Sequence, residues 1–364
     1  MKDTVGIILA DRVQQRPNEL LQFRNTSALP LAGKYRLIDF MLSGMTNSGI
    51  EKVGIVVSGN SASLNTHLGA GEAWDLRRRS QGLTLLYPSS SDGDAQRFAV
   101  ITDFLKHSKQ KLVLVGRGDI VFNTSFKPFL NFHRENRADI SVMYHKLTDN
   151  SVLSKSDILE FDENGRLYSF EKNPRTPSSK NASMNIYLLE RRLLLKLIDE
   201  AVSHGDRDLI MDCIVKKIND LRIFCYRFTN YSKRIDSVKS YFETNMDMMS
   251  EKVRAEIFMP ERRIYTCPRN FAPTQYGDNA QISDCLIADG CRIDGELENC
   301  VVFGGVRIEK GVKAQNCILM EKSFVGNGGQ LEYVVLDKEC VVREGARLCG
   351  QQSFPVIIGK GAVI

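Results

Sequence analysis

DCLIADGCRIDGELENCVVFGGVRIEKGVKAQNCILMEKSFVGNGGQLEYVVLDKECVVREGARL (284–348) is a sequence that keeps returning to itself. Its first string, DCLIA (284–288), comes back as NCVVF (299–303), NCILM (316–320) and YVVLD (333–337), at spacings of 15, 17 and 17 residues. Within each unit an aliphatic residue recurs six positions on: Ile287 and Ile293, then Val302 and Ile308, then Leu319, Val325 and Leu331, then Leu336, Val342 and Leu348. Glycine follows closely at Gly295, Gly311, Gly326, Gly328 and Gly345. A six-residue aliphatic step, about three steps to a unit, is the pattern of a triangular parallel β-helix whose flat faces each take one step. This domain is expected over 284–364.

Upstream the periodicity is different. To about residue 245, nearly continuous apolar runs (VGIILA 5–10, KVGIVVS 52–58, KLVLVG 111–116, DISVMYHK 139–146) alternate with helical stretches such as 36–48 and 189–202. Strands of that kind are buried on both faces, so the expected fold over 1–245 is α/β, a doubly wound and mostly parallel Rossmann-like sheet. Pro260, Pro268 and Pro273 interrupt the stretch 246–283, which reads as a linker.

The whole-chain numbers fit two ordinary domains: 364 residues, 43% hydrophobic and 26% charged. No apolar run is long enough to span a membrane, and MKDTVGIILA (1–10) reads as a strand and not a signal peptide, so the expected location is the cytoplasm. A net charge of +5 without a basic tail or basic–aromatic interleaving gives no reason to expect nucleic acid. The nine cysteines contain no Cys-x-x-Cys pair and read as small buried hydrophobes, not metal ligands.

Several strings converge on one family. GKYRLIDFMLSGMTNSGIEKVGIV (33–56), HLGAGEAWDL (67–76), the Gly118–Asp119 pair, FEKNP (170–174), SMNIYLL (183–189) and SYFETNMDMM (240–249) resemble bacterial glucose-1-phosphate adenylyltransferase over essentially the whole chain. The resemblance implies a nucleotidyltransferase domain, a left-handed β-helix, a tetramer, and synthesis of ADP-glucose for glycogen. That chemistry needs a glycine-rich loop to cradle a triphosphate, an Arg and a Lys to balance its charge, and two Asp carboxylates for Mg²⁺.

Set against the family pattern, the phosphate and metal positions depart. The loop after the first strand is DRVQQRP (11–17), without glycine, and only Arg16 falls on the family's arginine position. Thr26 stands where a lysine is expected. Asp119 keeps the first metal position, but YSKRIDS (231–237) puts Arg234 at the second, with Asp236 two residues on as a displaced alternative. A guanidinium in place of a carboxylate reverses the sign of an interaction on the order of 4 kcal/mol at about 4 Å. The sugar side keeps Glu171, Lys172 and Ser183, yet Asn185 replaces a glycine and Lys155-Ser156-Asp157 replaces Arg-Phe-Gly.

These departures are those of the non-catalytic, GlgD-type subunit of Gram-positive bacteria. The resemblance then implies a regulatory role beside a catalytic GlgC-type subunit in a heterotetramer, with no metal on this chain and Mg²⁺ on the partner. A weakly active adenylyltransferase is the alternative, and a β-helix acyltransferase a third class, against which all five histidines lie outside the repeats. Read without the family, Asp119 is a strand-end cap and Lys172 a solvated lysine. Arg77, Arg78 and Arg79 form either a solvated or subunit-contact run or a site for a phosphorylated effector.

Overall fold

The computed structural model describes residues 1–10, 19–57, 60–77, 81–88, 94–147, 156–205, 208 and 214–364. The chain divides into two compact units, one drawn from 1–11, 40–59 and 68–232, the other from 12–39, 60–67 and 233–364.

The first unit is built on one nine-stranded sheet. Its strands are β1 (Thr4–Leu9), β2 (Val53–Val56), β3 (Leu83–Leu86), β4 (Leu112–Arg117), β5 (Ile140–Lys146), β6 (Ile158–Phe161), β7 (Leu167–Glu171), β8 (Asn181–Glu190) and β9 (Ile223–Phe228). β1 lies between β2 and β4, and β3 extends this parallel core past β2. β8 adds antiparallel to β4, and also pairs with β5 and, at one residue, with β6. The apolar runs of the sequence are therefore the central strands, as their two-sided hydrophobicity required.

Helices α1 (Leu37–Asn47), α2 (Asp94–Lys106) and α3 (Arg191–Ser203) supply the flanking layers. Phe98, Ile101 and Leu105 of α2 and Leu194, Leu197 and Ile198 of α3 join Val5, Ile7, Val113 and Val115 in one core. Met41 and Met45, on the part of α1 within this unit, press on Gly116 and Gly6, where a Cβ would stand 1.8 and 2.5 Å from the methionine atoms. A Cβ at either glycine would make the flexible methionine ends shift.

In the second unit, three five-stranded parallel sheets form the faces of a left-handed β-helix. Ile293, Ile308, Val325 and Val342 stack in register on one face, and Leu297, Ala314, Leu331 and Leu348 on the next. Val302, Leu319 and Leu336 stack on the third. The aliphatic six-step is thus the inward-pointing ladder. The first residue of each repeat string marks a corner: Asp284, Asn299, Asn316 and Tyr333 have φ of 48, 52, 53 and 49°. Asp and Asn adopt that left-handed geometry at least cost among residues with a Cβ. Strands Gln275–Tyr276 and Gln281–Ser283 pair as the first coil, within the stretch read as linker, and there only Ile282 continues an aliphatic ladder, exposed and in register with Leu297.

The third face is buried on both sides, with Val301, Ile318 and Val335 inaccessible. Residues 24–36 and helix α4 (Val238–Asp247) belong to the same unit: Tyr241 donates to Pro30 O at 2.7 Å, Asn245 accepts from Ala32 N at 3.0 Å, and Phe242 packs on Tyr333.

Candidate functional site

The first unit gathers the sequence's candidates at one end of its sheet. Ile158 of β6 pairs with Glu171 on one side and Ala182 on the other, so Asp157, Glu171 and Ser183 share an edge. Arg117 ends β4 opposite Leu9 of β1, and Asp119 follows one residue after Gly118.

Asp119 is not presented to a ligand. Arg117 grips its carboxylate from both sides: Nε donates to Oδ1 at 2.8 Å and Nη2 donates to Oδ2. Both side chains are only 8% accessible. Burial disfavours the Arg117 charge, but the charge and hydrogen bonds of Asp119, with Asp157 and Tyr187 farther off, overcome it and raise the Arg117 pKa. A buried bidentate pair of this kind is satisfied internally and costly to open. The sequence signal is the one cation of the otherwise apolar strand LVLVGR (112–117), just before the Gly-Asp pair. It was overlooked in favour of Arg234.

A second buried arrangement joins two departures from the family pattern. Asn185 sits at φ 53°, in an irregularity where the β8–β5 register shifts between Ser183 and Ile186. Glycine and asparagine are the residues that tolerate this conformation. The asparagine side chain, which glycine lacks, donates to Asp157 Oδ2 at 3.1 Å and accepts from Tyr187 Oη at 3.0 Å. Ser183 accepts from Asn185 N at 3.0 Å and donates its own N–H to Asp157 O at 2.8 Å. Asp157 and Asn185 therefore work as a pair, and Ser183 is committed to the same network.

The other candidates are also engaged. Lys172 Nζ forms an ion pair with Asp208, and Glu171 accepts a long bond from Ser178 N at 3.4 Å. Arg77 is exposed and ion-paired to Glu72, while Arg78 and Arg79 lie outside the described residues, as does Arg16 with its loop.

Thr26 opens a 3-10 turn, Thr26–Ala28, capped by Asn25. Arg234 ends the strand Ser232–Arg234 and is half-buried. Asp236 accepts from Ser240 Oγ at 3.1 Å at the start of α4, a local capping role.

The second unit holds a charge cluster that the sequence did not reveal. Arg24 pairs with Asp337 at 2.8 Å, the two side chains 2% and 0% accessible. Lys338 reaches Glu321 at 2.8 Å, and Arg269 pairs with the same carboxylate. Asp39 accepts from Arg36 N at 2.9 Å and meets His67 Nε2 at 2.6 Å. Burial lowers the Lys338 pKa to about 7, assisted by Arg36, Arg269 and Arg24. Burial likewise brings Arg36 down to about 10, with Arg269 contributing.

The donor set does not fit the divalent cation implied by the family pattern. The Asp119 carboxylate is bound by Arg117, and no group of three His, Cys, Asp or Glu side chains among the described residues is placed to hold a metal ion. Nor is any helix among the described residues long and apolar enough to cross a membrane.

Comparison with known proteins matches residues 7–251 to the nucleotidyl transferase family and residues 267–353 to the GlmU-like C-terminal hexapeptide family. The chain is 29% identical over 374 residues to a glucose-1-phosphate adenylyltransferase of Clostridium perfringens (strain 13), covering all of this chain and 95% of that one. It is 28% identical over 365 residues to one from Acetivibrio thermocellus, covering 97% and 85% of the two chains. With one from Bacillus cereus (strain Q1) it shares 29% over 369 residues, 98% of each.

Proposed function

Because the chain belongs to the nucleotidyl transferase family, we propose that it is a non-catalytic, regulatory subunit of a glucose-1-phosphate adenylyltransferase, modulating ADP-glucose synthesis by a catalytic partner. The observation that carries this reading is the Arg117–Asp119 pair: a tethered guanidinium already neutralises the carboxylate that would bind the metal. The Asp157–Asn185–Tyr187 network supports it, since these polar side chains are committed to one another. The full-length similarity to adenylyltransferases supports the reaction to which the subunit contributes.

The partner is a catalytic relative in a heterotetramer, which carries the Mg²⁺. The subunit acts by linkage. Favouring one state of the assembly, alone or with a phosphorylated metabolite bound, biases the partner by that differential affinity, typically ~1–3 kcal/mol. Mixing this chain with a catalytic relative tests it. The expected result is a heavier assembly with altered activity or effector response, and unchanged mass, rate and response would overturn it. A weakly active enzyme is the second reading, favoured by Glu171 and Lys172 at the sheet edge. It predicts ADP-glucose from the lone chain.

A further inference from the structure

All eight described cysteines are free thiols, and three of them stand in one column of the β-helix. Cys285, Cys300 and Cys317 each follow a left-handed corner, at Asp284, Asn299 and Asn316. The pairing that sets Leu286 beside Val301, and Val301 beside Ile318, puts the three cysteines on adjacent rungs. Two backbone bonds bracket the first pair: Asn299 N donates to Ser283 O at 3.1 Å, and Leu286 N donates to Cys300 O at 2.9 Å. Neighbouring rungs of a sheet lie about 4.8 Å apart, within the roughly 4.4–6.8 Å that a disulfide spans between Cα atoms. Cys300 belongs to the apolar core of the β-helix, Cys285 packs against that core, and the two thiols are hydrogen-bonded to each other.

The three differ in access. Cys300 and Cys317 are buried, whereas Cys285, on the first coil, is half-buried and within reach of solvent. That coil is also loosely packed: Leu286 and Ile287 are half-buried and Ile282 is 39% exposed, against full burial of Val301 and Val302 on the next rung. The hydrogen bond with Cys300, together with burial, holds the Cys285 thiol above its ordinary pKa. Its oxidation is therefore slow, and what the geometry sets is the product. Once oxidised, Cys285 has a second thiol already in contact, before any solute thiol arrives.

We propose that Cys285 and Cys300 are a peroxide-responsive pair that closes a reversible disulfide and staples the first coil to the second. The Cys285 sulfur attacks one oxygen of a peroxide, whose O–O bond breaks. Cys285 becomes the sulfenic acid, and its thiol proton leaves with the departing hydroxide as water. The Cys300 sulfur then attacks the Cys285 sulfur, the S–O bond breaks, and that hydroxide leaves with the Cys300 proton as a second water. Two thiols are oxidised and one peroxide is reduced. Cys317, beyond Cys300, stays reduced, and excess thiol reopens the bond.

The full chain is treated with hydrogen peroxide over a dose series, remaining thiols are alkylated after unfolding, and each cysteine is located by peptide sequencing in the mass spectrometer. The expected product is a Cys285–Cys300 cross-link within one chain, with Cys317 still alkylated and dithiothreitol restoring both thiols. Amide exchange at residues 285–288 is expected to slow by at least about tenfold in the oxidised chain, since the cross-link closes a short loop. Cys300→Val, which continues the column as Val334 does beside Cys317, is expected to let Cys285 run on to the sulfinic acid. Sulfinic acid at Cys285 in the unaltered chain, a Cys300–Cys317 cross-link, or Cys285 still reduced at the highest dose that leaves the fold intact would overturn the proposal. The wild-type product decides the matter even if Cys300→Val does not fold.

Discussion

Replacing Arg117 by leucine isolates the interaction on which the proposed function rests. The guanidinium makes two charge-assisted hydrogen bonds to Asp119, and each side chain is 8% accessible. Arg117→Leu therefore takes from a buried carboxylate the guanidinium that holds both of its oxygens, a change that costs roughly 3–5 kcal/mol. Converting both residues, Arg117→Leu with Asp119→Leu, removes the buried charge and is expected to cost less than the single change. The deficit of the single variant should shrink as pH falls. Without this guanidinium the buried carboxylate is harder to keep ionised, so protonation favours the folded variant as pH falls. Trp74, the one tryptophan, is 2% accessible and lies in the same unit as the pair, so its fluorescence during urea unfolding reports the relevant transition. A loss below about 1 kcal/mol for Arg117→Leu, or additive costs in the double variant, would refute the claim that the pair is a closed lock.

The Arg24–Asp337 pair is buried more completely, so Asp337→Asn should cost about 3–5 kcal/mol, seen as lost hydrogen-exchange protection in residues 334–342. Lys338 has a folded-state pKa lowered to about 7, against an ordinary value of 10.5. The folded chain therefore binds fewer protons than the unfolded one between those values. Stability contributed by this residue should rise with pH across that window, by up to a few kcal/mol, and Lys338→Met should flatten the profile of urea midpoints against pH. At position 185, where φ is 53°, glycine should cost about 1–2 kcal/mol for its lost hydrogen bonds. Alanine there should cost about 1–2 kcal/mol more for the left-handed backbone, an order readable from the same Trp74 melts.

The β-helix was legible because its structure repeats. Each inward rung reuses one aliphatic position, and Ile293, Ile308, Val325 and Val342 announce that position four times. The first coil escaped notice because Gln275, Gln281 and Ser283 are exposed at its margin, where no buried ladder constrains them. In the candidate site, single positions were readable but their pairings were not. Asp157 and Asn185 each stood out as departures, yet their hydrogen bond spans 28 residues between neighbouring elements. Arg24 and Asp337 are 313 residues apart, and nothing local in either stretch names the other. Arg117 was missed for a different reason. The retained Gly-Asp pair draws attention to Asp119 itself, whereas the residue that holds its carboxylate is a cation two positions earlier.

In the proposed subunit, the Arg117–Asp119 pair leaves this chain without the metal-dependent nucleotide site of a working adenylyltransferase. Calorimetric titration of the isolated chain with ATP, with and without Mg²⁺, tests it most directly. The expected result is no saturable binding that depends on Mg²⁺. Saturable Mg²⁺-dependent binding of ATP, accompanied by ADP-glucose formation when glucose 1-phosphate is added, would contradict it.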